Sequence, residues 1–489
     1  MHHQIILWIT GALHLSIFAA VSLHCLHRRR NPGATILWIF VTWSFPFIGA
    51  LVYLGFGVDR VPDRGQQKLL ADERLLRARK DERRSSPQAY WRECKSTRTA
   101  SVFHTEFDRA LDALMPEYPA HTCNKITPLV TGDNAYPQML EAIRNAKHHI
   151  HLQSFIIAGD ATGKLFLNEL ASKARAGIQV RVLYDRFGST GALFKGFFRR
   201  AQKTANLKVE GWTQANPLKR QFQINLRNHR KALVVDGKTA FFGGINIQSK
   251  NTTRPGKPPL RDYHFKVEGP LVQGLQYSFL CDWYFITGES PEHLLSENYF
   301  PAVERAGDIT ARLINTGPDS GCDIATQTFF NAITLAKKQI LAVTPYFVPT
   351  VDILRALRAA ALRGVDVRLI VPKENNHRYA GYAGKALYED LLSAGAQIFE
   401  RLPPFMHAKA LIVDSEFSLV GTANLDERSL ILNYETNVAV YDKHFANAMQ
   451  LIIYEEILHS DEIRLNEWQR RPAYRRLIEN LALLMSPVL

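Results

Sequence analysis

Hydrophobic residues follow three regimes along the chain. Ile5 to Leu26 runs 22 residues without a charge, and Ala34 to Val58 runs 25. Each run matches or exceeds the roughly 20 apolar residues that cross a bilayer as a helix. The cationic, turn-forming connector Arg28-Arg29-Arg30-Asn31-Pro32-Gly33 between them predicts a two-helix transmembrane hairpin over residues 1–58. No basic residue precedes Ile5 and no small-residue cleavage site follows the run, which argues against a cleaved signal peptide. Pro46 should kink the second span, and His14 should hydrogen-bond between the helices. Over residues 64–84, Leu69, Leu70, Leu75 and Leu76 lie among charges. That pattern fits an interfacial helix on anionic lipid or a solvated linker helix equally well. Residues 59–125 are therefore read as a charged linker.

From about residue 126 the third regime begins, with helical and strand periods in alternation, and the chain repeats itself. Ala142-Ile143-x-x-Ala146-Lys147-x-x-Ile150 returns 190 residues later from Ala332 to Ile340. The junction Gly177-Ile-Gln-Val-Arg-Val-Leu-Tyr-Asp185 returns 187 residues later from Gly364 to Pro372. A glycine that ends a helix and opens a β-branched run marks a helix-to-strand junction both times. The repeat is too long for a solenoid. It predicts an α/β fold of two homologous lobes, 126–306 and 307–489, each a sheet flanked by helices.

Composition adds an anionic partner. The chain carries 60 Lys and Arg against 46 Asp and Glu, a formal charge of +14. The first 84 residues hold 12 of those bases against 6 acids; the rest of the excess is spread thinly. Such a balance suits a membrane surface or a nucleic acid. The connector offers three Arg against five Lys or Arg from Asp59 to Ala78, a count that leans toward a cytoplasmic body. Cys25, Cys94, Cys123, Cys281 and Cys322 are scattered and form no CxxC pair. Neither a covalent staple nor a structural zinc site is expected, a pattern compatible with a reducing compartment. His148, His149 and His151 look metal-like but sit at a helix-to-strand junction with no carboxylate or thiol beside them, and no metal is assigned there.

The chemistry lies in a doubled motif. His229-Arg-Lys231-Ala-Leu-Val-Val-Asp236 is followed by Gly243-Gly244-Ile-Asn246, and His407-Ala-Lys409-Ala-Leu-Ile-Val-Asp414 by Gly421-Thr422-Ala-Asn424. The apolar run after each Lys indicates a strand, and a two-residue period puts His and Lys on one face. A hairpin at Asp236-Gly237 or Asp414-Ser415 would return the Gly-x-x-Asn segment alongside. His, Lys and Asn then converge on a phosphate, with small residues admitting the backbone. Asp236 and Asp414 complete the candidate catalytic set of His229, Lys231, His407 and Lys409. Their parity is wrong for the His face, however, and they are read as turn and salt-bridge residues. The carboxylates that would orient the histidines are Asp262 and Glu435.

These residues resemble the phospholipase D superfamily and, more narrowly, bacterial cardiolipin synthases of the two-span type. Carrying the resemblance are Asn228-His-Arg-Lys231, Arg261-Asp-Tyr-His264, Asp282-Trp283, Gly317-Pro-Asp319, Thr344-Pro-Tyr-Phe347, Gly421-Thr-Ala-Asn-Leu-Asp-Glu-Arg-Ser429 and Asn433-Tyr-Glu435. The tail from Leu484 to Leu489 is similar to the family's, with Val488 a departure. The resemblance implies two phospholipase D-like lobes forming one site and working without a cofactor or metal. It implies a reversible transfer between two phosphatidylglycerols through a phosphatidyl-histidine, giving cardiolipin and glycerol. His229 would be the nucleophile and His407 the acid/base. Lys231, Lys409, Asn246 and Asn424 would hold the phosphate. The implied partners are phosphatidylglycerol and an anionic bilayer, with no nucleic acid, at the bacterial inner membrane as a multi-pass protein; a homo-oligomer is left open. A phospholipase D or headgroup-exchange enzyme shares all of this chemistry. A nuclease of the superfamily would use the positive charge but has no need of a membrane hairpin. Trp91, Tyr346 and Phe347 suit a lipid entry path, although core packing is the commoner fate of such residues.

Overall fold

The computed structural model describes residues 2–27, 32–54, 61–85, 102–212, 226–302, 304–318 and 323–484. The Arg28–Arg30 connector, Trp91, Cys94, Asp319, Cys322 and the tail from Met485 lie outside the described residues. The chain divides into two units, 1–64 and 65–489.

In the first unit, α1 (His2–His27) is long and apolar enough to cross a membrane. It leaves Ile5, Trp8, Leu15 and Leu23 exposed. The second span departs from expectation. Helix α2 (Pro32–Ser44) has 13 residues, about 20 Å at the helical rise, short of a ~30 Å hydrocarbon core. The chain then turns at Phe45–Phe47 before a five-residue helix, Ile48–Val52. Pro46 offers no N–H and crowds the preceding turn, and Phe47 takes a left-handed φ of 62°, so the proline breaks the helix rather than kinking it. His14 also differs. It packs near the rings of Trp43 and Phe47, 6.0 and 6.2 Å away, and its Nδ1 is without a hydrogen-bond partner. The inter-helix bond joins His24 Nδ1 and the Tyr53 hydroxyl at 2.5 Å.

In the second unit, the segment read as a linker is built into the body. Helix α3 (Val61–Ser85) buries Gly65, Lys68, Leu75 and Arg79. Helix α4 (Val102–Leu114) inserts Phe107 and Leu111 into a core shared with Ile333, Leu357 and Leu411. Cys123 corrects a second expectation, because it is disulfide-bonded.

One continuous sheet of 15 strands carries both lobes. The first lobe supplies β1 (His121–Val130), β2 (His149–Ser154), β3 (Gln179–Asp185), β4 (Leu207–Trp212), β5 (Ala232–Val235), β6 (Thr239–Gly243) and β7 (Tyr263–Glu268). The second supplies β8 (Ile309–Thr316), β9 (Gln339–Val343), β10 (Asp366–Pro372), β11 (Gln397–Arg401), β12 (Ala410–Val413), β13 (Phe417–Gly421), β14 (Glu435–Tyr441) and β15 (Ser460–Ile463). Their order is β15-β11-β10-β9-β12-β13-β14-β8-β1-β7-β6-β5-β2-β3-β4. Read outward from the antiparallel β1/β8 contact, the lobes are the same series of seven strands, with β15 added at one edge. Gly177 and Gly364, at φ 92° and 87°, end α5 (Ala161–Arg175) and α6 (Val351–Leu362) ahead of β3 and β10. Few residues besides glycine adopt that backbone cheaply. Helix α7 (Leu271–Thr287) is buried along its first 13 residues, Leu271 to Trp283, and packs against β5, β7 and β8.

Candidate active site

Each motif histidine enters on the short segment before a central strand, β5 or β12, and each segment is clamped by the other lobe. The His229 amide donates to the Tyr434 carbonyl at 2.9 Å, and the His407 amide donates to the Arg261 carbonyl at 2.7 Å. The same exchange holds the side chains. His229 Nδ1 lies 3.0 Å from Glu435 Oε2, and His407 Nδ1 lies 2.8 Å from Asp262 Oδ2. Each carboxylate thus serves the histidine of the opposite lobe. With Nδ1 bound to a carboxylate, the ring is set in the tautomer that leaves Nε2 for chemistry.

The two carboxylates occupy equivalent positions, since Gly243 pairs with His264 and Gly421 with Asn437. Their surroundings differ. Asp262 also accepts the Tyr263 amide at 2.9 Å, and Gly244 makes room for it, because a Cβ there would lie 2.0 Å from Asp262 Oδ1. The small residue in the first Gly-x-x-Asn therefore admits a carboxylate. In the second lobe the equivalent Thr422 donates its hydroxyl to Glu435 at 2.5 Å, and Asn433 donates at 3.2 Å. Burial would raise Asp262, but the charges of Lys409 and His407 outweigh it and hold it below the usual carboxylate range. Burial dominates at Glu435 and pushes it up to about 7, against the pull of Lys231 and Thr422.

Burial depresses all four basic groups, reinforced by nearby cations at His229, His407 and Lys231. His229 falls well below its ordinary value and His407 to about 4. Lys231 falls to about 7 and Lys409 to about 8, each held from falling further by Asp262 and Glu435. Lys231 donates to the His229 carbonyl at 2.6 Å, while Lys409 Nζ lies 2.8 Å from His407 Nδ1 and 3.1 Å from Nε2. Cations crowded with neutral histidines in a dry site form a seat for an anion.

Asn246 accepts the Ile156 amide on Oδ1 at 3.0 Å, which leaves Nδ2 as the group able to face a ligand. It lines a cavity of about 370 Å³ together with Gln248, Lys250, Asn375, Arg401 and His407. Asn424 breaks the expected symmetry. Its Nδ2 donates to Asp426 at 2.8 Å and Ser429 at 3.1 Å, and its buried Oδ1 has no partner. A donor already committed to a carboxylate is not available to a phosphate.

Asp236 and Asp414 stand at the far ends of β5 and β12, in type I′-like hairpins. Asp236 and Gly237 have φ of 53° and 63°, and Asp414 and Ser415 have 54° and 56°. Asp236 accepts the amides of Lys147, His148 and His149; Asp414 accepts those of Lys337, Lys338 and Gln339. Their place in the candidate catalytic set is corrected accordingly: they pin β2 and β9 through backbone amides rather than through salt bridges. His149 and His151 pack against Tyr299 and Phe279, and among the described residues no His, Cys, Asp or Glu group is placed to hold a metal. Tyr346 stands beside His407, with ring centroids 6.3 Å apart, whereas Phe347 is buried in the core.

Several site residues carried no sequence signal used above. Thr422, Asn433 and Tyr434 lie within quoted motifs without an assigned role. Arg227 shares the alternation with His229 and Lys231 and could have been found by it. Burial and then Arg428 lower it to about 10.

The sequence profile of a family described as "Cardiolipin synthase, PLD-like domain" matches residues 139–256 and 329–455, and one described as "Phospholipase_D-nuclease N-terminal" matches residues 6–57. The chain is 34% identical over 479 residues to a cardiolipin synthase of Geobacillus thermodenitrificans, covering 94% of this chain and 90% of the relative. It is 33% identical over 495 residues to that of Alkalihalophilus pseudofirmus, covering 99% and 95%. The major cardiolipin synthase ClsA of Bacillus subtilis is 32% identical over 471 residues, covering 94% and 95%. Among solved structures, phosphatidylserine synthase of Haemophilus influenzae shares the fold, with a TM-score of 0.60 at 16% identity over 78% of this chain and 98% of that one.

Proposed function

The chain belongs to the cardiolipin synthase family of phospholipase D-like enzymes, and from that premise we propose that it joins two phosphatidylglycerols into cardiolipin and glycerol through a phosphatidyl-histidine. His229 Nε2 attacks the phosphorus of the first lipid, the bond from phosphorus to the glycerol oxygen breaks, and His407, which takes up a proton when the anionic phosphodiester binds beside it, gives that oxygen its proton. A hydroxyl of the second phosphatidylglycerol then yields its proton to His407 and attacks phosphorus. The phosphorus–nitrogen bond breaks and no proton is gained or lost overall. Because one intermediate accepts either hydroxyl, the reaction is reversible.

The observation that carries this reading is the exchanged pair of histidine–carboxylate bonds, which hold both rings by Nδ1 and direct the chemistry to Nε2. The carboxylates support this division of roles. Asp262, held ionised, supports a proton on His407 better than Glu435 supports one on His229. Lys231, Lys409 and Asn246 would hold the non-bridging oxygens and offset the charge that develops in transfer.

The N-terminal helices would keep the enzyme at the bacterial inner membrane, beside its lipid and away from bulk water. A multi-pass insertion with a cytoplasmic body is proposed from the basic residues; the Cys123 disulfide pulls the other way, since disulfides persist in oxidising compartments. Protease protection of sealed vesicles separates the two orientations. For the reaction, purified protein incubated with labelled phosphatidylglycerol alone should yield cardiolipin and free glycerol. Phosphatidic acid as the main product would reassign the protein to the phospholipases D.

A further inference from the structure

Two charges on α3, Lys68 and Arg79, point into the body. Gly65, Lys68, Leu75 and Arg79 recur at helical spacing and are all buried. Arg79 stacks over Tyr277 at 4.1 Å. Lys68, 1% exposed, reaches both oxygens of Asp72 and lies 3.3 Å from Asp282 Oδ1.

Asp282, on α7, is fully buried and grips the residues on either side of His229. Its Oδ2 accepts from Asn228 Nδ2 at 2.8 Å and Gln153 at 2.7 Å; its Oδ1 accepts from Arg230 at 2.7 Å. Arg230 in turn donates to the Glu435 carbonyl at 3.3 Å. Lys68 also stands 6.0 Å from the Tyr434 ring, whose backbone carbonyl accepts the His229 amide. Burial alone would depress the Lys68 ammonium, but Asp72 and Asp282 outweigh it and keep it charged.

We propose that Lys68, on the helix that follows the N-terminal unit, is a positioning residue for His229, acting through Asp282 and the Asn228–Arg230 clamp. A buried carboxylate that must hold two neighbours of the histidine in place needs more positive charge than Arg230 alone supplies. With Lys68 gone, Asp282 keeps one cation, and Arg230 is drawn from its shared duty to the Glu435 backbone. The histidine then loses alignment with phosphorus while the cavity beside Asn246 and His407, which Lys68 does not line, is untouched. The inference rests on His229 being the nucleophile proposed above.

The test uses the full chain in mixed micelles with phosphatidylglycerol. Lys68→Met should lower kcat by about 10²-fold, the loss expected of an ångström-scale misplacement, with KM within about twofold of wild type. Lys68→Gln keeps a donor for both carboxylates but no charge. It should stay folded, melting below the wild type, and lose several-fold in kcat. Lys68→Arg should recover most of the rate. A folded Lys68→Met or Lys68→Gln enzyme with wild-type kcat overturns the proposal. So does loss of the melting transition in both, which would make Lys68 a folding residue only. Wild-type cardiolipin output and His229→Ala run beside them: an active His229→Ala would sink the catalytic reading itself, independently of Lys68.

Discussion

Asp262→Asn tests the exchange between lobes at one atom pair. The carboxylate lies 2.8 Å from His407 Nδ1 and would face an imidazolium whenever His407 carries the proton in transit. Two unit charges about 4 Å apart at an effective dielectric of ~20 attract by about 4 kcal/mol. The asparagine oxygen can still accept the Nδ1–H bond, which returns about 1 kcal/mol. The remaining ~3 kcal/mol corresponds to about a 10²-fold loss in kcat. Glycerol release from phosphatidylglycerol is the assay, with KM followed in parallel and expected to change little. Stability supplies an internal check. Asp262 is held below its ordinary value, so its contribution is complete above about pH 4 and vanishes only as pH falls through the folded value. The variant should therefore melt lower than wild type at pH 7, and the gap should close below about pH 4. A folded variant with kcat within threefold of wild type at pH 7 would refute the reasoning.

Three further outcomes are expected. His229→Ala and His407→Ala should each abolish turnover with melting unchanged, and the double variant should be no worse, because one lost member disables the unit; a single variant above about a tenth of the wild-type rate contradicts the shared site. Asp414→Ala should cost about 2–3 kcal/mol in denaturant unfolding, since three amides lose a charged acceptor, with kcat per folded molecule preserved; a selective loss of kcat would return Asp414 to the catalytic set. Glu435 is raised to about 7 by burial, so its stabilising contribution is full below about pH 4.3 and fades as pH rises through 7; the wild-type fall in melting temperature across that window should flatten in Glu435→Gln, and parallel curves would count against it.

The doubled α/β architecture was legible because the repeat preserves both spacing and chemistry, from Ala142–Ile150 to Ala332–Ile340. Strand parity separated Asp236 and Asp414 from the histidine face, since a two-residue period needs no tertiary information. Asp262 and Glu435 could be located in the chain, but not which histidine each serves, because that depends on how two lobes meet. Charges on α3 misled the reading: Lys68 and Arg79 look solvated by composition and are buried by partners some two hundred residues away. Asn424 matches its motif in sequence, yet Asp426 and Ser429 capture its amide.

The exchange of carboxylates also constrains how the two lobes can change over time. What each lobe gives its neighbour it receives back in kind, as in an isologous contact between identical subunits. A substitution beside Asp262 is felt at His407 and one beside Glu435 at His229, so each half of the gene is selected through the performance of the other. A chimera that takes residues 126–306 from one relative and 307–489 from another therefore inherits two mismatched histidine–carboxylate pairs together, not one intact and one broken. Drift in either half is answerable to the pair.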